Sequence, residues 1–195
     1  MRLSKAGYYA DLFVYPPVVM VLTAVGSRGP HSHFFAGLLL SCLLGIAGWT
    51  FVEYVMHRFV LHSIRAAAEM HDLHHANPTA YIGIPTWLSL ACFAVGGFIP
   101  LWFLGGLEIA SGAVTGLMIG YVWYIVVHNA VHRWRLDHES FLYPAKLRHA
   151  VHHYGKQDGN FGVTTAFWDR VFGTTVVGTR EIAFETGLRS KQPIR

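Results

Sequence analysis

His149-Ala150-Val151-His152-His153 is the stretch on which the reading of this chain turns. On a helix, positions i, i+3 and i+4 share one face, so these three imidazoles are expected to point at one place. His71-Asp72-Leu73-His74-His75 repeats the pattern, and His128 with His132 makes an i, i+4 pair. His57 and His62 are five apart, about 140° around an α-helix. They share a target only if the helix ends between them or if each faces a different ion. Ten of the 13 histidines therefore fall into four clusters.

A single cluster of this kind arises by chance on surface helices, and a lone buried histidine is usually just hydrogen-bonded. Four clusters within 195 residues do not fit that account. Imidazole is a borderline ligand suited to iron, zinc, copper or nickel, and ten imidazoles exceed what one four- to six-coordinate ion uses. Two metal ions are the expectation. His31 and His33 lie in a loop beside Arg28 and stand apart from the clusters, and His138 sits in the polar run 133–139 without a helical partner.

The composition places these clusters in a membrane protein. The chain is 53% hydrophobic and 13% charged, against about 25% charged for a soluble domain. No charge lies between Arg28 and Glu53, between Asp72 and Glu108, or between Glu108 and Arg133. Each gap is long enough for a helix of about 20 residues to cross a bilayer. The expected fold is all-α and multi-pass, a single domain over 1–195. Its four transmembrane helices run roughly over 9–25, 34–56, 85–104 and 109–127, with a histidine-rich helical cap from 57–81 and 128–195. Asp11 and Pro16-Pro17 predict a kinked or partly inserted first span, and Gly105-Gly106 predicts a tight reversal between the last two.

With four spans, 14 of the 15 Lys and Arg residues fall on one side and only Arg28 on the other. By the positive-inside rule that side is cytoplasmic, and both termini and all four histidine clusters share it. The net charge of +4 carries no basic stripe interleaved with aromatics, so nucleic acid is not an expected partner. Cys42 and Cys92 sit in apolar runs and indicate packing, not a disulfide framework. Trp49, Trp87, Trp102 and Trp123 suit packing or the membrane interface better than a cofactor box.

Carboxylates commonly orient metal-bound imidazoles by accepting the other ring proton. Glu53 lies one helical turn before His57 and either does so or marks the membrane interface. Asp72, Asp158 and Asp169 are further candidates, although a solvated helix face explains each nearly as well.

The run Glu53-Tyr54-Val55-Met56-His57-Arg58-Phe59-Val60-Leu61-His62 carries a resemblance, together with His71 to His75, His128 to His132 and His149 to Tyr154. With Phe161-Gly162-Val163-Thr164-Thr165 and Trp168-Asp169-Arg170-Val171-Phe172-Gly173-Thr174, these segments resemble the fatty acid hydroxylase/sterol desaturase superfamily, on its fatty acid hydroxylase branch. The resemblance implies an integral membrane oxygenase whose histidines hold two iron ions that activate O2. It places His57, His62, His71, His74, His75, His128, His132, His149, His152 and His153 as metal ligands. Zinc is the expected substitute in purified protein. The implied substrate is a lipid, first of all a fatty acyl chain, with carotenoid or sterol hydroxylation and non-enzymatic metal binding as alternatives.

Two departures from the family pattern stand out. No haem-binding His-Pro-Gly-Gly segment precedes the membrane part, so a separate electron donor of cytochrome b5 or ferredoxin type is expected. Tyr124-Ile125 stands where 2-hydroxylases often carry Tyr-Asp, which bears on the carbon attacked.

Overall fold

The computed structural model describes residues 1–28 and 34–178, so His31 and His33 lie outside the described residues. Its elements are helical: α1 (Lys5–Gly26), α2 (Phe34–Val55), α3 (Arg65–Ala76), α4 (Thr86–Ala91), α5 (Ile99–Arg133), α6 (Tyr143–Tyr154) and α7 (Phe167–Val171). Two π-helical segments, Met56–Leu61 and Cys92–Phe98, follow α2 and α4 directly. Among the described residues there is no strand, only an isolated bridge between Arg2 and Ile82.

Three helical stretches are long and apolar enough to cross a membrane: Lys5–Gly26, Phe35–Leu61 and Thr86–Arg133. The third has 48 residues, which at about 1.5 Å per residue would reach roughly 72 Å if straight, more than twice the hydrocarbon thickness. It is broken at Gly106, where φ is 79°. Residues with a Cβ avoid that left-handed region, and glycine enters it freely. The two expected spans 85–104 and 109–127 thus lie in one helical stretch with a break at the Gly105-Gly106 pair. Large apolar side chains such as Phe13, Leu39, Leu44, Phe103 and Leu104 are exposed on these helices, as lipid-facing residues are and those of a soluble domain are not.

The chain divides into two compact units. The first comprises 1–52 and 80–123. Ser4 caps α1 by accepting from the Gly7 amide at 3.0 Å, and Leu3 donates to the Tyr81 carbonyl at 2.8 Å, which ties the start of the chain to the segment before α4. α1 is assigned as one continuous helix through Pro16-Pro17, and Asp11 on it is buried, accepting a hydrogen bond from the Tyr121 hydroxyl. Tyr15, Trp49, Phe93 and Tyr121 form an aromatic core with ring centroids 5.1 to 5.9 Å apart.

Small residues set the approach of α2 to α5 in this unit. A Cβ on Gly116 would strike the Cys42 carbonyl, and one on Gly45 would strike that of Ala113. Gly112 and Gly120 continue the stripe at four-residue spacing, against Ser41 and Trp49. In a bilayer, where lipid tails are as apolar as the helices, such close backbone packing is a main source of helix association.

The second unit comprises 53–79 and the chain from 124 onward. Its core is Val127, Ala130 and Val131 from α5, Leu142 and Ala145 around the start of α6, and Val163. Arg65 and Glu69 pair at 3.0 Å across one turn of α3, and Asn77-Pro78 ends that helix. α6 starts with Pro144 in its first turn, where the missing N–H costs nothing, and stops at Gly155.

Candidate metal centre

All ten clustered histidines lie in the second unit, and their side chains gather into two groups of five. His57, His62, His71, His75 and His152 form the first group, and His74, His128, His132, His149 and His153 the second. Within each group one ligand atom per residue lies within 4.8 Å of all the others.

The grouping differs from the expectation that each His-x-x-His-His converges on one point. α3 sends His71 and His75 to the first group and His74 to the second; α6 sends His149 and His153 to the second and His152 to the first. Positions i and i+4 are about 40° apart on a helix, whereas i+3 lies about 100° from i+4. The wider separation is what lets one helix serve two centres.

His57 and His62 converge for a local reason. The segment Met56–Leu61 is π-helical, and its i→i+5 bonding brings residues five apart close to one turn. Their rings stack with centroids 5.3 Å apart. The helix also ends at Leu61, with His62 as its C-cap, so of the two expected arrangements, a shared target across a helix end or a different ion for each, the first is the one observed. Each group now has the same parts: a pair from a span end, an i, i+4 pair from one cap helix, and a single histidine from the other. The groups adjoin, with His75 and His153 stacked at 4.1 Å.

The distances between ring nitrogens show what the groups are suited to hold. Nε2 of His71 lies 3.0 Å from Nε2 of both His57 and His75. In the second group, Nε2 of His132 lies 3.2 Å from that of His128 and 2.8 Å from that of His149. Nitrogens bound at roughly 2.1 Å sit about 3.0 Å apart in adjacent positions of a five- or six-coordinate ion, and about 3.4 Å apart in a tetrahedron. The observed spacings favour the higher coordination. Nε2 of His62, His74 and His152 and both ring nitrogens of His153 are buried with no hydrogen-bond partner, the condition a bound cation relieves.

Burial also keeps these rings neutral. It pushes His152 down to about 3, against a raising contribution from the Gly159 carbonyl, and His74 down to about 4, with His75 and Arg133 adding to the effect. Burial and the neighbouring imidazoles lower His71, His149 and His153 as well. Neutral imidazole is the form that binds metal.

The strap 159–164 touches the first group. His57 Nδ1 donates to the Phe161 carbonyl, and His152 Nδ1 donates to that of Gly159 at 2.9 Å. In both rings this leaves Nε2 for the centre. Glu53 does not take the ring proton of His57 that its spacing suggested. Its buried carboxylate accepts from the amides of Val163 at 2.6 Å and Thr164 at 2.9 Å, and from the Thr164 hydroxyl at 2.6 Å. Asp169, fully buried, accepts from the amides of Phe161 at 2.9 Å and Gly162 at 2.8 Å and from the Thr174 hydroxyl at 2.7 Å. A Cβ on Gly162 would strike the Thr165 carbonyl. Asn160 has φ 53° and is held by the amide and carbonyl of Val176.

Asp72 and Asp158 are exposed, and their charges act on His62 and His75, raising proton affinities that burial lowers. His138 lies against Tyr143, 4.4 Å between ring centroids, and belongs to neither group.

The family model described as Fatty acid hydroxylase matches residues 42–174, the segment that contains every one of these groups. The chain belongs to the fatty acid hydroxylase family. Among relatives in that family, a dihydroceramide fatty acyl 2-hydroxylase of Arabidopsis thaliana is 27% identical over 186 residues, covering 88% of this chain and 75% of the relative. The fatty acid 2-hydroxylase of Mus musculus is 34% identical over 159 residues, covering 73% of this chain and 40% of the relative. The chain thus spans less than half of the mouse protein. The solved structure of full-length scs7p, in which only the hydroxylase domain is visible, superposes with a TM-score of 0.75 at 26% identity over 88% of this chain and 67% of that one.

The segments on which the family resemblance rests have a structural role. Phe161 to Thr164 lies in the strap, and Asp169 and Thr174 belong to its anchorage. The carbonyls of Gly159 and Phe161 could not be found by side-chain reasoning, because every residue has a carbonyl. The nearest signal was the motif surrounding them.

Proposed function

We propose that this chain is a membrane-bound di-iron hydroxylase that inserts one oxygen atom of O2 into a C–H bond of a fatty acyl chain. The observation that carries the reading is the pair of adjoining five-imidazole groups in a member of the fatty acid hydroxylase family. Five neutral imidazoles per ion exceed the closed four-ligand sets of structural zinc and leave a position open, as a catalytic ion requires. Iron is the metal this donor set suits for oxygen chemistry. When bound, the two ions would activate O2 and share the electron transfers.

The balanced reaction is R–H + O2 + 2 e⁻ + 2 H⁺ → R–OH + H2O. The chain's own residues hold the ions, keep the rings in one tautomer and exclude water from the buried nitrogens. The electrons come from a donor protein of cytochrome b5 or ferredoxin type. The names of the Arabidopsis and mouse relatives favour carbon 2 of the acyl chain, while Tyr124-Ile125 departs from the Tyr-Asp often seen in 2-hydroxylases.

Lipid extracts from cells with and without the chain test this reading by mass spectrometry. One acyl lipid class should gain 16 mass units, a shift that becomes 18 when the cells grow under ¹⁸O2. An unchanged lipid profile in cells that supply iron, O2 and donor would overturn it.

We read the break at Gly106 as a reversal that gives four membrane crossings, with both termini and the histidine groups on the cytoplasmic side. A reporter fused after Arg195 is expected to behave as cytoplasmic, and a cysteine placed at Arg28 to react with impermeant label from outside. A C-terminus found outside would refute the topology and part the centre from cytoplasmic donors.

A further inference from the structure

We infer that the two histidine groups are unequal, the first binding its metal more tightly, and that Glu53 and Asp169 are the positioning residues responsible. The inference rests on the dinuclear reading above and goes beyond it to the order in which the centre fills and empties.

By composition the groups are near copies: each has five imidazoles, contributed as two pairs and a single. The surroundings break that equivalence. Two imidazoles of the first group, His57 and His152, donate Nδ1–H to main-chain carbonyls of the strap. Among the described residues no carbonyl accepts from a ring nitrogen of the second group, and Nδ1 of His149 is buried with no partner. An imidazole whose second nitrogen donates to a carbonyl is locked in the ligating tautomer and made more basic. One without that bond must select its tautomer and orientation when the metal arrives.

The strap can do this only if its carbonyls stay aimed. The Gly159 carbonyl shares its peptide with the Asn160 amide, which donates to the Thr174 carbonyl at 2.9 Å, and the Phe161 carbonyl lies within a run of four consecutive amides, Phe161 to Thr164, all of which donate to carboxylates. Asp169 takes the first two and Glu53 the last two, while the Thr164 and Thr174 hydroxyls occupy further lone pairs. Neither carboxylate is among the grouped ligand atoms, so they act on the first centre through the backbone. Gly162 fits the turn between the two clamps, and Asn160 holds the strap's other end in a left-handed conformation on Val176. Carbonyl contacts of this kind are worth about 10- to 100-fold in metal affinity when lost, so a gap of at least about tenfold between the groups follows.

The test uses the full chain in lipid nanodiscs, saturated with Zn²⁺ and titrated with a competing chelator, with retained zinc counted per chain. Two release steps of one zinc each are expected, at least about tenfold apart in chelator concentration. His149→Ala should abolish the easily released step, which assigns it to the second group. Asp169→Asn and Glu53→Gln should move the tighter step toward weaker binding by about 10- to 100-fold and leave the weaker step in place. Thr164→Val removes one hydroxyl bond to Glu53 and leaves the carboxylates intact, so it should move the same step less, and it decides the matter should either carboxylate variant not fold. Two zincs released in one step, or strap variants that shift both steps alike or neither, would overturn the inference while leaving the dinuclear reading intact. A single zinc at saturation would overturn the dinuclear reading itself.

Discussion

His75→Ala and His149→Ala are each expected to lower hydroxylation more than about 100-fold, since a lost ligand costs more than the 10- to 100-fold of a lost supporting contact. The two residues sit in different groups, His75 in the first and His149 in the second. Equal inactivation by both means that neither centre works alone. His138→Ala is the matched control, because its ring packs on Tyr143 away from both groups. Product formation per chain, measured beside thermal stability, checks the expectation. Near-normal turnover in either ligand variant would show that its group is not part of the catalytic centre.

The helical fold was legible in the sequence for a simple reason. In a bilayer, hydropathy and the gaps between charges report directly on which segments can be buried in lipid. The stretch 9–25 lies within α1, and 34–56 is covered by α2 and the start of the π-helical segment that follows it. Gly105-Gly106 marked the break in the long third stretch because a left-handed φ selects for glycine. The stripe Gly112, Gly116, Gly120 was also in plain view, but its meaning depends on the backbone of α2 that faces it, which no single segment reveals.

The histidine clusters were equally visible, but their partition was not. Helical periodicity says that i, i+3 and i+4 share a broad face, and it is silent on whether one or two centres lie opposite that face. The splitting of His71-Asp72-Leu73-His74-His75 between the groups is decided by the packing of α3 and α6 together. Likewise the five-residue spacing of His57 and His62 left open whether they meet across a helix end or face two ions, and the π-helical turn Met56–Leu61, which ends just before His62, decides for one group. Glu53 shows the same limit. One turn of helix placed it near His57 along the chain, yet its oxygens are taken by amides more than 100 residues later. A buried carboxylate goes to whichever donors the tertiary fold brings, and amide donors are invisible in a list of side chains.

Metal content decides between one ion and two, one in each five-imidazole group. The full chain, reconstituted in nanodiscs and loaded anaerobically with Fe²⁺ to saturation, should retain two irons per chain after free metal is removed. His75→Ala and His149→Ala should each retain at least one fewer. Two irons per chain are expected, and a fully active protein holding one iron per chain would refute the dinuclear centre.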